Sequence, residues 1–265
     1  MRKIVAIAGL LFLFACSKED NVESVSLLPG SALRYVKSGN GNILNEFTYD
    51  KSGNIQKRVS YFADKVSSAA DMHYKNGRLA SVDLKMDVSS SMTAPNYIYG
   101  RYDFEYDIAG NIIQQNHYTR KTAQEAYTLG SFSVFEYNSS RLPVRVSRFM
   151  PDGTKYQYVD YAYDMAGNVV SSELYAISEG AGEMQPVHKS IYQHDGKSNP
   201  YLKVYHPVEN IPFSVNRNNI TEIITTSYSG PVREHTASTV YGDFNSHSLP
   251  LWMEENGTRF SFEYN

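Results

Sequence analysis

The chain has 265 residues, 42% of them hydrophobic and 20% charged, which is enough apolar material for a core and too little charge for a disordered chain. A net charge of −3 offers no basic field to hold DNA or RNA, and a single Cys rules out a disulfide framework and any multi-cysteine metal site. Twenty-two Tyr and 12 Phe beside 1 Trp and 8 Met is a composition of strands.

In chain order, Met1 to Lys3 form a short basic start and Ile4 to Phe14 an apolar run. That run is about half of the roughly 20 residues a spanning helix needs, so residues 1–15 read as a secretory leader. It ends Leu13, Phe14, Ala15, Cys16, which resembles the lipobox of bacterial lipoproteins. The resemblance implies cleavage before Cys16, a thioether diacylglycerol and an N-acyl chain on Cys16, and a palmitate-type anchor in the outer membrane. At about 0.8 kcal/mol per buried methylene, several chains hold a protein on a bilayer where one does not. Ser17, Lys18, Glu19 and Asp20 follow. A Lys with two acids just after the lipidated Cys is similar to the signal that displays Gram-negative lipoproteins on the outer face of the outer membrane. The same residues also read as a solvated tether over 16–30, which leaves an inward, periplasmic position open.

From residue 31 the chain repeats itself. Phe47-Thr-Tyr-Asp50-Lys-Ser-Gly53-Asn54-Ile55 recurs as Phe104-Glu-Tyr-Asp107-Ile-Ala-Gly110-Asn111-Ile112, and again as Tyr161-Ala-Tyr-Asp164-Met-Ala-Gly167-Asn168-Val169. The motif tyrosines Tyr49, Tyr106 and Tyr163 are evenly spaced, and each is followed by another at Tyr61, Tyr118 and Tyr175. Eroded copies lie around Tyr74, Tyr137, Tyr192, Asn216 and Tyr241. One copy reads as a β-hairpin. Aromatic-x-Tyr places two rings on one strand face, Asp accepts local backbone N–H groups at the turn, and Gly supplies positive φ where the chain re-enters the ladder. A bulge at that point shifts side-chain parity, so the face of the motif tyrosines stays open.

Tyr-Asp followed by Gly-Asn-Ile at this spacing resembles the YD repeats of the Rhs family. Together with the lipobox, the chain is similar to YD-repeat lipoproteins of unknown function. The likeness covers about Leu33 to Asn265 and implies architecture only, because the chain is too short to enclose a second protein as large Rhs shells do.

The expected fold is all-β. Residues 31–265 form one domain, a long antiparallel meander of YD-type hairpins with on the order of 16 to 18 strands, curled into an open or nearly closed barrel. Lys121 to Tyr127 reads as a loop or single turn, and Ser178 to Pro186 as an exposed loop.

Little in the sequence points to catalysis. It holds no His-Glu-x-x-His pair, no Gly-x-Ser-x-Gly elbow and no phosphate loop. His188, His194 and His206 lack the set spacing and partners of a zinc site, and Asp50, Asp107 and Asp164 fit turns better than acid-base chemistry. No cofactor or metal is expected. Trp252, Tyr97, Tyr99 and Tyr102 are candidate ligand aromatics for a glycan or protein, with cross-strand ladders as the structural alternative. The leading expectation is a non-enzymatic, surface-exposed outer-membrane lipoprotein that binds an extracellular glycan or protein. An envelope assembly factor using free strand edges, and a carrier that encloses an apolar ligand, are the other readings. A dry, packed interior favours the outer surface; a vacant apolar cavity favours the carrier.

Overall fold

The computed structural model describes residues 31–89, 96–177, 182–202, 204 and 210–265. The leader over 1–15, Cys16, the tether over 16–30, His206 and part of the Ser178 to Pro186 loop lie outside the described residues. The first eight strands are β1 (Leu33–Ser38), β2 (Ile43–Tyr49), β3 (Ile55–Phe62), β4 (Lys65–Lys75), β5 (Arg78–Asp87), β6 (Tyr97–Tyr106), β7 (Ile112–Arg120) and β8 (Thr128–Tyr137). The remaining strands are β9 (Pro143–Phe149), β10 (Lys155–Tyr163), β11 (Val169–Ile177), β12 (Met184–Ser198), β13 (Asn218–Ser227), β14 (Arg233–Phe244), β15 (Pro250–Glu255) and β16 (Thr258–Tyr264). Among the described residues one short helix, α1 (Ile211–Val215), lies between β12 and β13.

Each strand pairs antiparallel with its sequence neighbours, and β1 pairs with β16 from Leu33↔Tyr264 to Ser38↔Phe260, so the meander closes completely. Accumulated twist brings the two ends of so wide a sheet together, and closure satisfies the edge hydrogen bonds. Strand addition to a partner therefore finds no free edge among the described strands. Residues 121–127 form a turn in which the Glu125 carboxylate accepts the N–H groups of Lys121 and Thr122.

The repeated motif builds one end of the barrel. In the first copy, Asp50 Oδ1 accepts the N–H groups of Ser52 and Asn54 at 2.8 and 2.9 Å. Asn54 Nδ2 donates to the other carboxylate oxygen at 3.0 Å. Gly53 takes φ +80, and Gly110 and Gly167 take +88, the left-handed region where a Cβ is costly. Asn111 and Asn168 bond Asp107 and Asp164 in the same way. The eroded copies keep the geometry with other residues: Asn138 and Asn245 cap their own turns, with Arg141 and Ser248 at positive φ in the glycine's place.

The register settles which way the motif tyrosines point. Thr48 pairs with Lys57 and Tyr49 with Ile55, leaving Gln56 as an extra residue on the return strand. Tyr49 and Ile55 therefore face inward, while Lys57, Val59 and Tyr61 face outward. The same shift follows Tyr106 and Tyr163. Each inward tyrosine then donates its hydroxyl to a carbonyl where a neighbouring hairpin begins its return strand: Tyr74 to Ile55, Tyr106 to Leu79, Tyr137 to Ile112 and Tyr163 to Pro143, at 2.6 to 2.9 Å. Tyr49 to Leu33 and Tyr264 to Pro250 extend the belt to the closing strands β1 and β16. A phenylalanine would pack there, but it would leave each buried carbonyl short of a donor. Burial pushes the Tyr74 and Tyr137 hydroxyls up to about 12, so they stay protonated donors.

The two faces of the barrel wall differ sharply. Inward residues near the motif turns form the core, including Val36, Phe47, Val82, Phe104, Phe135 and Phe262. The outer face carries charge in pairs between adjacent strands: Lys57 with Asp71, Arg101 with Asp83, Arg145 with Asp160, Lys189 with Glu173, and Lys37 with Glu263. Arg145 grips Asp160 with two nitrogens at 2.6 and 2.8 Å.

The described residues of the long connection between β12 and β13 fold back into the barrel as a plug. Tyr201 packs edge-on against Phe213 at 6.1 Å and against Phe262 of β16 at 5.8 Å, while Val204 and Ile211 are buried. An asparagine network seats it. Asn216, fully buried, accepts from the Val169 N–H at 2.6 Å and donates to His194 Nε2 at 2.9 Å. Asn199 bonds the carbonyls of Phe213 and Asn216. Asn168, the last residue of the third motif turn, accepts from the N–H groups of Arg217 and Asn218.

Candidate functional site

Where the plug does not reach, the lumen is hollow. A cavity of about 480 Å³ lies at the motif-turn end among Ile55, Tyr74, Leu79, Ile112, Phe135 and Tyr137, with Val215 of α1 on the plug side and Arg141 and Leu142 at its rim. Its wall is mostly apolar, because the tyrosine hydroxyls are turned into the belt. A second cavity of about 240 Å³ lies further along the same strands. Met72 lines both.

The second cavity is polar. Register places Gln115, Ser133 and Arg148 side by side across β7, β8 and β9, and Tyr102, His117 and Ser131 side by side across β6, β7 and β8. Along β8 the inward residues run Ser131, Ser133, Phe135, Tyr137, so the lumen changes from polar to apolar over roughly 13 Å between Ser133 and Tyr137 at about 3.3 Å per residue. His117 stacks on Tyr102 at 4.7 Å, and burial holds its imidazole below its ordinary range, so it is neutral near pH 7. Arg148 is then the one permanent charge on this cavity's wall. It makes no hydrogen bond or ion pair among the described residues.

The charge around this half of the barrel is sorted by face. Strands β2 to β11 carry Glu46, Asp71, Asp83, Asp87, Asp103, Glu105, Glu136, Asp160 and Glu173, and register turns all of them outward. Inward on the same strands stand Arg58, opposite Phe47 and Ala70, and Arg148, opposite Ser133. On this half of the barrel an anionic protein thus turns its carboxylates outward and presents a cationic inner wall.

The candidate ligand aromatics do not form one site. Tyr97 and Tyr99 face outward on β6, against Lys85 at 3.8 Å and Arg120 at 5.3 Å. Tyr102 faces inward. Trp252 lies on β15, far around the barrel, where it donates to Asp243 at 2.9 Å and stacks with Arg259 at 3.9 Å. It also covers Gly242 so closely that a Cβ there would sit 2.1 Å from the ring, which makes this tryptophan a packing partner. The motif residues Asp50, Gly53, Asn54 and their counterparts sit in turns, with Asp107 held below its ordinary value by hydrogen bonds from Asn111, Ala109 and Gly110. His188 points into the lumen with Nδ1 unbonded among the described residues, apart from His194, which the plug engages. Sequence reading missed Arg148 and the plug. The signal for Arg148 was parity: it stands two residues beyond the core Val146 on one strand, so it shares Val146's face, while Arg145 takes the other.

No family model and no curated protein matches the chain. Among solved structures it is similar to a porin-like protein from Bacteroides uniformis ATCC 8492, with a TM-score of 0.51 and 11% identity over 91% of this chain and 99% of that one. A porin-like protein from Bacteroides vulgatus ATCC 8482 aligns with a TM-score of 0.43 and 12% identity over 88% and 99%. The first likeness shows a shared barrel fold.

Proposed function

We propose that the protein is a non-enzymatic lipoprotein of the outer membrane, held by lipid on Cys16 and displayed outward, whose barrel stands in water and binds an apolar ligand in its lumen. The charged outer wall carries this reading. A spanning barrel needs an apolar outer band about 25 Å tall, and an Arg or Lys on the lipid face costs about 2 to 4 kcal/mol at the midplane. Paired charges recur around this wall on β1, β3 to β6, β9 to β12 and β16. A barrel with that surface reaches a bilayer through an anchor, and the lipobox supplies one.

The geometry also favours one orientation. Strand β1 starts at the motif-turn end, so a lipid on Cys16 draws that end, with the mouth of the apolar cavity, toward the bilayer. Ile108 and Met165 stand fully exposed at the tips of two of these turns, where an apolar side chain suits a membrane interface better than water. The vacant apolar cavity favours a lumenal ligand over the glycan or protein ligand expected of the outer aromatics, which are scattered.

The test is Cys16→Ala. The variant is expected to lose palmitate labelling and to leave the membrane fraction as a soluble, folded β-protein. Retention in carbonate-washed membranes would mean that the barrel itself spans. Protease shaving of intact cells checks the outward position, which survival of the wild-type protein would refute.

A further inference from the structure

Resting on the lumenal reading above, we infer that the two cavities are one site for a long-chain monocarboxylate amphiphile of the fatty-acid class, its carboxylate at Arg148 and its tail running past Met72 toward the motif-turn mouth. Three independent observations converge. The lumen is graded: polar at Gln115, Ser131, Ser133 and Arg148, apolar at Ile55, Leu79, Ile112 and Phe135. The charge on this half is segregated, with nine strand carboxylates outside and Arg58 and Arg148 inside. Arg148 is unpaired among the described residues, while Arg101 and Arg145 on the outer wall have carboxylate partners.

The chemistry follows from these placements. A guanidinium presents its donors in a planar fork that matches a carboxylate. Here it stands beside the Ser133 hydroxyl and the Gln115 amide, which can bond the remaining lone pairs. Low-dielectric walls strengthen the field of Arg148, so this cavity selects an anion although the whole molecule repels one. A neutral lipid would leave the Arg148 charge unanswered, and a short, fully polar anion would leave the apolar cavity empty. A single chain also fits the size: taken together, the cavities of about 240 and 480 Å³ fall in the range of small-molecule sites.

The experiment titrates the purified, delipidated protein with 11-(dansylamino)undecanoic acid and with its methyl ester, two probes that share a tail and differ in charge. In the wild type, both are expected to give saturable fluorescence, with the acid at least tenfold tighter. Arg148→Gln should bring the acid down to the affinity of the ester and leave the ester within about twofold, while Arg148→Lys keeps part of the preference. Equal affinity for acid and ester in the wild type, or unchanged acid binding in Arg148→Gln, overturns the assignment of the head group and leaves the lumenal reading standing. If neither probe binds the wild type, both fall. Should Arg148→Gln fail to fold by near-UV circular dichroism, the wild-type comparison of acid with ester decides alone.

Discussion

Strands β11, β12 and β16 close on the described residues of the β12–β13 connection, whereas β3 to β9 enclose open space, although both sides are built from the same hairpin. On the filled side, Val169 is fully buried under Asn216, and Phe262 under Tyr201. On the hollow side, the equivalent residues Ile55 and Ile112, at the same turn exits, line a cavity. The difference lies in one connection. Motif turns join consecutive strands in a few residues, whereas the β12–β13 link is far longer, and its described residues fold inward. A barrel this wide cannot fill its lumen with wall side chains alone, as an eight-stranded barrel can. The chain supplies stuffing on one side and leaves the other vacant, which is the arrangement a ligand site needs.

The largest test of this contrast is to unseat the plug. Asn216→Ala strands the buried Val169 N–H and the His194 ring nitrogen, and should cost about 3 kcal/mol, read as a lower urea midpoint. Gln115→Ala or Ser133→Ala, which truncates a side chain that lines a cavity, should cost less. Matched enlargements sharpen the point. Val169→Phe crowds a packed site and should destabilise by about 1 to 3 kcal/mol, while Leu79→Phe grows into the cavity and should be neutral or stabilising. An equal penalty at both positions would show that the hollow side collapses in solution.

Much of the fold was legible because it is periodic. The Asp-x-x-Gly-Asn turn dictates its own hydrogen bonds, three strong copies fix the hairpin length, and an even meander this wide must curl. The facing of the motif tyrosines was not legible, since it depends on a bulge at Gln56 that only the cross-strand register reveals. The site was harder still. Arg148 becomes remarkable only once β8 sets Ser133 beside it and every carboxylate on β2 to β11 is seen to turn outward, a property of ten strands together. The plug was hidden for the opposite reason: residues 199–217 break the repeat, and a broken repeat reads as erosion until Asn216 is found bonded to the Val169 N–H and the Arg217 N–H to Asn168.

The smallest expected effect separates the two halves by pH. Burial lowers the pKa of His117 on the hollow side and of His194 on the filled side, the latter partly offset by Asp164 and Asp195. The unfolded chain therefore takes up these protons first, and stability falls as pH drops below the ordinary histidine value of 6.5 until the folded rings themselves titrate. Motif carboxylates such as Asp107 are held low by their turns, so their contribution is lost only in more acidic solution, below the usual carboxylate range. His117→Gln and His194→Gln should each flatten the slope between pH 7 and 5 in urea titrations. A fatty acid at Arg148 brings a negative charge toward His117 and raises its pKa, so ligand should flatten the His117 component while leaving that of His194 in place. A slope that ligand leaves untouched would put the bound anion away from the β7 to β9 wall.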